Sequence, residues 1–372
     1  MKYMNYVKRL GFAKPSAGDF GIEIETESAN SYPVPRMSYW KCDTDGSLRN
    51  FGIEYILRKP INYKEVDSAL EEFSSTLVDV KFLDSVYTSI HVHVNISRMT
   101  LSEIASFYTA YCLFEEVLTR YCGPTRNGNL FCLKNSLANR GVNTLSGLYR
   151  TIDSGDLREI DNILCNGTFN ENQLKYAACN IATMCRFQSL EIRTHKGTTN
   201  VAEIKRWIDI IECIKTFSMQ FKPNEIIKYF YQEKNKLTIM RSIFGDLNTY
   251  LVTDNLDRDL SVGLFYALQI AKSSSKWDKL DKLIEEKVKI LGQDSVEKKS
   301  APRQRDARTN EEFDAQTRQA RAAMLNAVRQ PDTLNREWGE TVTINARTTA
   351  ATDTRAAAYT IGNIVDEFGE DF

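Results

Sequence analysis

The chain has 372 residues, a formal net charge of −1, 42% hydrophobic and 26% charged residues and a mean hydropathy of −0.38. A chain of this length buries enough surface to fold without disulfide or metal staples, as roughly two domains or one large domain with an extension. The near-zero charge gives no strong nucleic-acid signal, because domains that bind through bulk electrostatics are usually strongly basic. No apolar run approaches the roughly 18–20 residues that span a bilayer, so no membrane role is expected. The first residues carry Lys2, Lys8 and Arg9 but no apolar signal core. The eight cysteines form no CxxC pair, which suits free thiols in a reducing, cytoplasmic compartment.

In chain order, the patterns predict a strand over 20–27, a strand over 52–58, a helix over 63–78, a strand over 85–97 and a long helix over 100–122. That helix opens with Thr100 and Glu103, the spacing of a capping box. A polar loop over 123–147 and short mixed elements lead to a helix over 171–184 and a strand over 187–195. A helix over 200–221, started by Asn200 with Glu203, and further helices to 290 complete a body of residues 1–292. Residues 294–310 are charged and nearly devoid of large apolar groups, so they read as a linker. Residues 311–329 fit one amphipathic helix, with Phe313, Met324, Leu325 and Val328 near one stripe. Beyond it, Trp338, Tyr359, Ile361, Phe368 and Phe372 are too sparse for a core. The segment 293–372 is either a disordered tail or an extended arm that docks on a neighbouring subunit or a larger assembly.

Three strands share an unusual pattern. In GIEIETE, Glu23, Glu25 and Glu27 alternate with Ile22 and Ile24; in IHVHVNI, His91, His93 and Asn95 alternate with Ile90, Val92 and Val94; in LEIRTH, Glu191, Arg193 and His195 alternate with Leu190 and Ile192. Side chains two apart share one face of a strand. A polar face turned to water explains any one strand. Three such strands, holding all three histidines of the chain, are better explained as walls of one ionic cavity. Carboxylates with an imidazole or two suit hard Mg²⁺ or Mn²⁺ rather than thiolate-rich zinc. Arg193 is suited to gripping a phosphate or carboxylate as a planar fork, and metals with an Arg at one cleft are the apparatus of phosphoryl transfer. No GxGxxG or GxxxxGK[ST] is present, so Rossmann and P-loop nucleotide sites have no support.

Two further segments fit this chemistry. Asp45 and Ser47 lie in a D-G-S turn ahead of Glu54, although such a turn is common in itself. The loop PTRNGNLFCLKNSLANR holds Arg126, Lys134 and Arg140, suited to covering a polyphosphate or to solvation alone. Lys175 and Asn180 lie in the predicted helix LKYAACN.

Together, GIEIETE at 21–27, D-G-S followed by GIE at 45–54, HVHVN at 91–95, RNGNLFC at 126–132, KYAACN at 175–180 and LEIRTHKGTTN at 190–200 resemble the amidoligase family. These are carboxylate–amine ligases similar to glutamine synthetase and glutamate–cysteine ligase. The resemblance spans roughly residues 18–220. It implies an α+β fold in which a curved antiparallel sheet lines an ATP and metal cavity, with helices packed outside. It implies a reaction in which ATP phosphorylates a small-molecule or peptide carboxylate and an amine attacks the acyl phosphate. Glu23, His91 and Glu191 then look like ligands of the metal at the nucleotide phosphates, and Glu25 and Glu54, with Asp45, like ligands of the metal near substrate and amine. Arg193, Glu54 and Asp45 make the catalytic set, while His93, Arg126, Lys175 and Arg193 face the nucleotide. Residues 222–372 match nothing in the family, which leaves room for an assembly protein with a ligase-like fold, or for a hydrolase using the same cavity. Family members are common in phage genomes, so a virion is an alternative location to the cytoplasm.

Overall fold

The structure is a computed structural model that describes residues 17–138, 141–145, 176–272, 274–275, 277–279 and 282. All of these lie within the unit Met1–Ile290. The predicted linker, helix 311–329 and C-terminal arm lie outside the described residues, as do Arg140 and Lys175.

In chain order the elements are β1 (Phe20–Ser28), β2 (Trp40–Asp43), β3 (Ile53–Leu57), a 3₁₀ turn running into α1 (Val66–Thr76), β4 (Phe82–Leu83), β5 (Ser89–Asn95) and α2 (Leu101–Tyr121). They continue with β6 (Cys179–Asn180), α3 (Thr183–Phe187), β7 (Ser189–Lys196), α4 (Val201–Ser218), α5 (Pro223–Gln232), α6 (Lys236–Phe244), α7 (Asn248–Leu251) and α8 (Leu256–Ala271). The strands form an open antiparallel sheet in the order β2-β3-β1-β5-β7-β6, with β4 paired to the C-terminal end of β1. Helices and this sheet make a mixed α/β body.

The alternation read from the sequence becomes two faces. Ile22, Ile24, Tyr55, Leu57, Ile90, Val92, Val94, Leu190 and Ile192 are all buried on one of them. α1 covers this face under β2 and β3: the indole of Trp40 donates to the Ala69 carbonyl, and the Trp40 and Tyr55 rings sit 5.6 Å and 5.2 Å from that of Phe73. α2 lies under β7, where the Tyr111 hydroxyl is 2.9 Å from Thr194 Oγ1. It is buried nearly all round, the mark of a helix enclosed by others. Its capping box forms as predicted, with Thr100 Oγ1 accepting from the Glu103 N–H and the Glu103 carboxylate accepting from that of Thr100. α8 crosses α2 closely enough that a Cβ on Gly263 would lie 2.1 Å from the Leu113 carbonyl oxygen. Arg120 of α2 grips buried Asp259 of α8 with two nitrogens.

Two predicted elements are corrected, and one strand is added. Residues 177–180 are not helical; Cys179–Asn180 is a short edge strand on β7. The strand predicted over 85–97 is shorter, Ser89–Asn95, because 85–88 form a turn that follows the separate short strand β4. β2, too short to show a period, was absent from the prediction. Asn200 caps α4 as expected, accepting from the N–H groups of Ala202 and Glu203.

Candidate active site

Register builds the site. Glu23 pairs with His91, and His93 with Glu191, which pairs in turn with Asn180. On the other flank, Glu25 pairs with Glu54 and Glu54 with Asp43. Directly paired residues present their side chains to the same face, so this row of polar groups crosses the sheet opposite the helix-covered face.

His91 stands at the centre and is 2% exposed. Its Nδ1 is 3.0 Å from Glu23 Oε2 and 3.4 Å from Glu191 Oε1. Its Nε2 is 2.7 Å from Ser89 Oγ and 3.9 Å from Glu25 Oε1. Ser89 Oγ also lies 2.6 Å from Glu25 Oε2. Two groups result, Glu23–His91–Glu191 and Glu25–Glu54–His91, each with ligand atoms within 4.8 Å of one another. His93 places Nδ1 3.0 Å from Ser189 Oγ and Nε2 3.2 Å from Glu23 Oε1. A Cβ on Gly21, its cross-strand partner, would come within 3.2 Å of His93 Cβ, so the bare glycine gives the ring its space. Glu191 accepts from Asn180 Nδ2 at 2.7 Å and from Arg193 Nη1, while Arg193 Nε donates to the Phe131 carbonyl at 3.2 Å.

The charges are unevenly balanced along the row. Burial opposes ionisation of Glu23, but His93 and His91 more than offset it and hold its carboxyl well below the usual range. For Glu191, likewise buried, the Arg193 guanidinium and then the two imidazoles win. Glu54 has no such partner. Burial first, and then Glu23, Glu25, Asp45 and Asp43, push its carboxyl up to about 9. A carboxyl cluster of this kind cannot stay fully ionised without a cation. Carboxylates around one imidazole, with no thiol among these two groups, are a donor set that fits a hard divalent ion such as Mg²⁺.

Other candidates are placed elsewhere. His195 does not share the face of Glu191 and Arg193. The pairing of β5 with β7 shifts between Ile90 and Val92, a bulge that puts His195 opposite core-facing Ile90. There it is fully buried 5.2 Å from the Trp207 ring, its Nδ1 donates to the Lys196 carbonyl, and burial lowers it to about 4. Arg126 is committed to the main chain, donating to the carbonyls of Arg193 at 2.7 Å and Thr194 at 3.0 Å, beside that bulge. Lys134 pairs with Glu116 of α2. Asp45 accepts from the amide and hydroxyl of Ser47, both at 2.7 Å, and acts on Glu54 through its charge. Glu27, 1% exposed, takes the Arg49 amide at 2.7 Å and the Asn50 side chain at 3.2 Å. It thereby holds a turn in which Asn50 and Phe51 have φ of 41° and 52°. Sequence reasoning missed Asp43, Ser89 and Ser189. Ser89 was within reach, two residues before His91 on the same period.

A family model described as "Putative amidoligase enzyme" matches residues 60–214. No curated protein and no solved structure matches the chain. The matched stretch contains His91, His93, Glu191 and Arg193, whereas Glu23, Glu25 and Glu54 lie before it and join them only through β-sheet pairing.

Proposed function

We propose, in keeping with the match of residues 60–214 to a model of putative amidoligases, that the protein is an ATP-dependent carboxylate–amine ligase that makes an amide or peptide-like bond through an acyl phosphate. The open sheet is then that of a glutamine-synthetase-like catalytic fold. The observation that carries this reading is the meeting of two ligand groups at one imidazole, with Arg193 ion-paired at one end of the row.

Glu23, His91 and Glu191 would hold one Mg²⁺, and Glu25 and Glu54 the other, with Asp43 and Asp45 adding negative charge at that end. When bound, Mg²⁺ supplies charge neutralisation and alignment of phosphate oxygens, the main requirements of phosphoryl transfer. Arg193 offers a fixed fork whose Nε is anchored on the Phe131 carbonyl and whose Nη1 meets Glu191. The rest of the guanidinium is then directed rather than free, as a group stabilising a transferring phosphoryl must be. His93 is held between Ser189 and Glu23, and its neighbours Glu23 and Glu191 overcome the effect of burial to raise its pKa. In its protonated form it donates to a phosphate oxygen. Burial and Ser89 fix the His91 ring between the two carboxylate groups.

The test is to incubate the protein with ATP, Mg²⁺ and pools of amino acids or short peptides. ADP and phosphate release that depends on one pool, with a condensation product in its mass spectrum, is expected. ATP hydrolysis that no carboxylate or amine stimulates would point to the hydrolase reading instead.

A further inference from the structure

Ser89 stands between the two ligand groups and touches both. The pairing of Ile24 with Ile90 brings the next residues outward, Glu25 on β1 and Ser89 on β5, side by side, and both are buried. Ser89 Oγ lies 2.6 Å from Glu25 Oε2 and 2.7 Å from His91 Nε2. A hydroxyl has one proton to give, and an ionised carboxylate can only accept. At so short a separation the Ser89 proton belongs to Glu25, because the reverse assignment would set oxygen lone pairs against each other. The Ser89 oxygen then has only lone pairs to offer His91, and Nε2 must be the donor. A neutral ring that carries its proton on Nε2 leaves a lone pair on Nδ1. That atom is 3.0 Å from Glu23 Oε2 and 3.4 Å from Glu191 Oε1. A lone pair and two carboxylates converging on one point repel one another until a cation stands among them.

We propose that Ser89 is a positioning residue: its hydroxyl, tied to Glu25, fixes the Nε2–H form of His91 and so makes Nδ1 the ligand atom for the Mg²⁺ held with Glu23 and Glu191. The imidazole then serves one ion only. Its Nε2 is engaged by Ser89 and stays 3.9 Å from Glu25 Oε1, so the neighbouring ion is left with the carboxylates of Glu25 and Glu54. The two ions are joined nonetheless, because the chain Glu25–Ser89–His91 has a ligand of one ion at each end. An ion drawing on Glu25 Oε1 holds that carboxylate still, and with it the hydroxyl and the ring on which the other ion depends. A ligating histidine is commonly oriented by a partner on its other nitrogen, and loss of that partner lowers metal affinity about 10–100-fold. A serine does this without adding a charge between the sites. The assignment rests on the metal sites of the ligase reading; it does not need turnover.

Nitrogen NMR of the full-length protein, labelled with ¹⁵N-histidine and titrated with Mg²⁺, tests this. The chain has three histidines, and His91→Gln identifies the His91 signals by their loss. In wild type saturated with Mg²⁺, Nε2 is expected to carry the proton and Nδ1 to be the nitrogen that the ion shifts. Ser89→Ala should show both ring forms in exchange and, by calorimetry, bind Mg²⁺ about 10–100-fold more weakly. Ser89→Thr, which keeps the hydroxyl, should recover the wild-type ring form and affinity. A wild-type ring with its proton on Nδ1, or one that meets Mg²⁺ through Nε2, overturns the proposal. So does a Ser89→Ala protein with unchanged ring form and affinity. A Ser89→Thr protein that melts like wild type yet recovers neither would reduce Ser89 to packing and overturn it too. The expected signals in a protein that never releases ADP would sink the ligase reading alone.

Discussion

At Glu54, burial and four carboxylates act in the same direction, and the carboxyl is pushed up to about 9 in the fold, far above an ordinary glutamate. A raised folded-state pKa means that the native state binds the proton more tightly than the unfolded chain. The stability this supplies is complete below about pH 4.5 and is lost as pH rises through 9. Because buried His195, lowered to about 4, gains stability up to about pH 6.5 and offsets this, metal-free protein should melt at progressively lower temperature from about pH 6.5 to 9. Added Mg²⁺ should raise the melting temperature more at pH 8.5 than at pH 6, because only the ionised carboxylate is a ligand. Glu54→Gln should flatten both trends, and scanning calorimetry across pH with and without Mg²⁺ decides it. Arg193 makes a second prediction at this scale. Lysine offers a point charge that cannot reach the Phe131 carbonyl, Glu191 and a phosphate oxygen together. Arg193→Lys should lower turnover on the order of a hundredfold with little change in nucleotide affinity, as for a lost transition-state contact. Normal turnover in that variant removes Arg193 from the chemistry.

β7 shows what a strand pattern conveys and what it omits. The spacing-two rule places Glu191 and Arg193 on one face, and pairing brings them to His93 and Asn180. The same rule misplaces His195, because a bulge reverses the alternation after Arg193 and nothing in LEIRTH marks it. Bulges depend on the partner strand, which a single strand's sequence does not contain. β1 and β5 were legible since their alternation is uninterrupted and apolar on the core side. β2 was not, and Asp43 was lost with it. The loop and the family resemblance set Arg126 at the nucleotide, whereas in the structure its guanidinium serves the bulge. Carbonyls that leave the ladder need donors, and its guanidinium serves those of Arg193 and Thr194. Arg126→Ala should cost about 1–3 kcal/mol for each buried carbonyl left without a partner, measured by urea denaturation. A variant of unchanged stability with a raised KM for ATP would return Arg126 to the nucleotide instead.

For the whole molecule, the site and the C-terminal segment separate cleanly along the chain. Every described residue of the candidate site lies between Gly21 and Arg193, inside the unit that ends at Ile290. No described helix is long and apolar enough to cross a membrane. Residues 293–372 have a composition with too few large apolar groups for a core of their own, yet they space Trp338, Tyr359, Phe368 and Phe372 along an otherwise polar stretch. Ordering such a chain costs roughly 1–2 kcal/mol of backbone entropy per residue, and the aromatic anchors can offset it only by burial on another surface. If that surface is a second subunit, assembly and chemistry are separable functions. Replacing Trp338, Tyr359, Phe368 and Phe372 by Ser in the full-length chain should then lower the mass seen by light scattering. The same protein should keep its Mg²⁺ affinity and its ATP turnover within about twofold, since no candidate ligand is touched. An unchanged mass would mean that the anchors do not mediate self-assembly. A loss of Mg²⁺ binding at unchanged mass would instead tie the segment to the catalytic body.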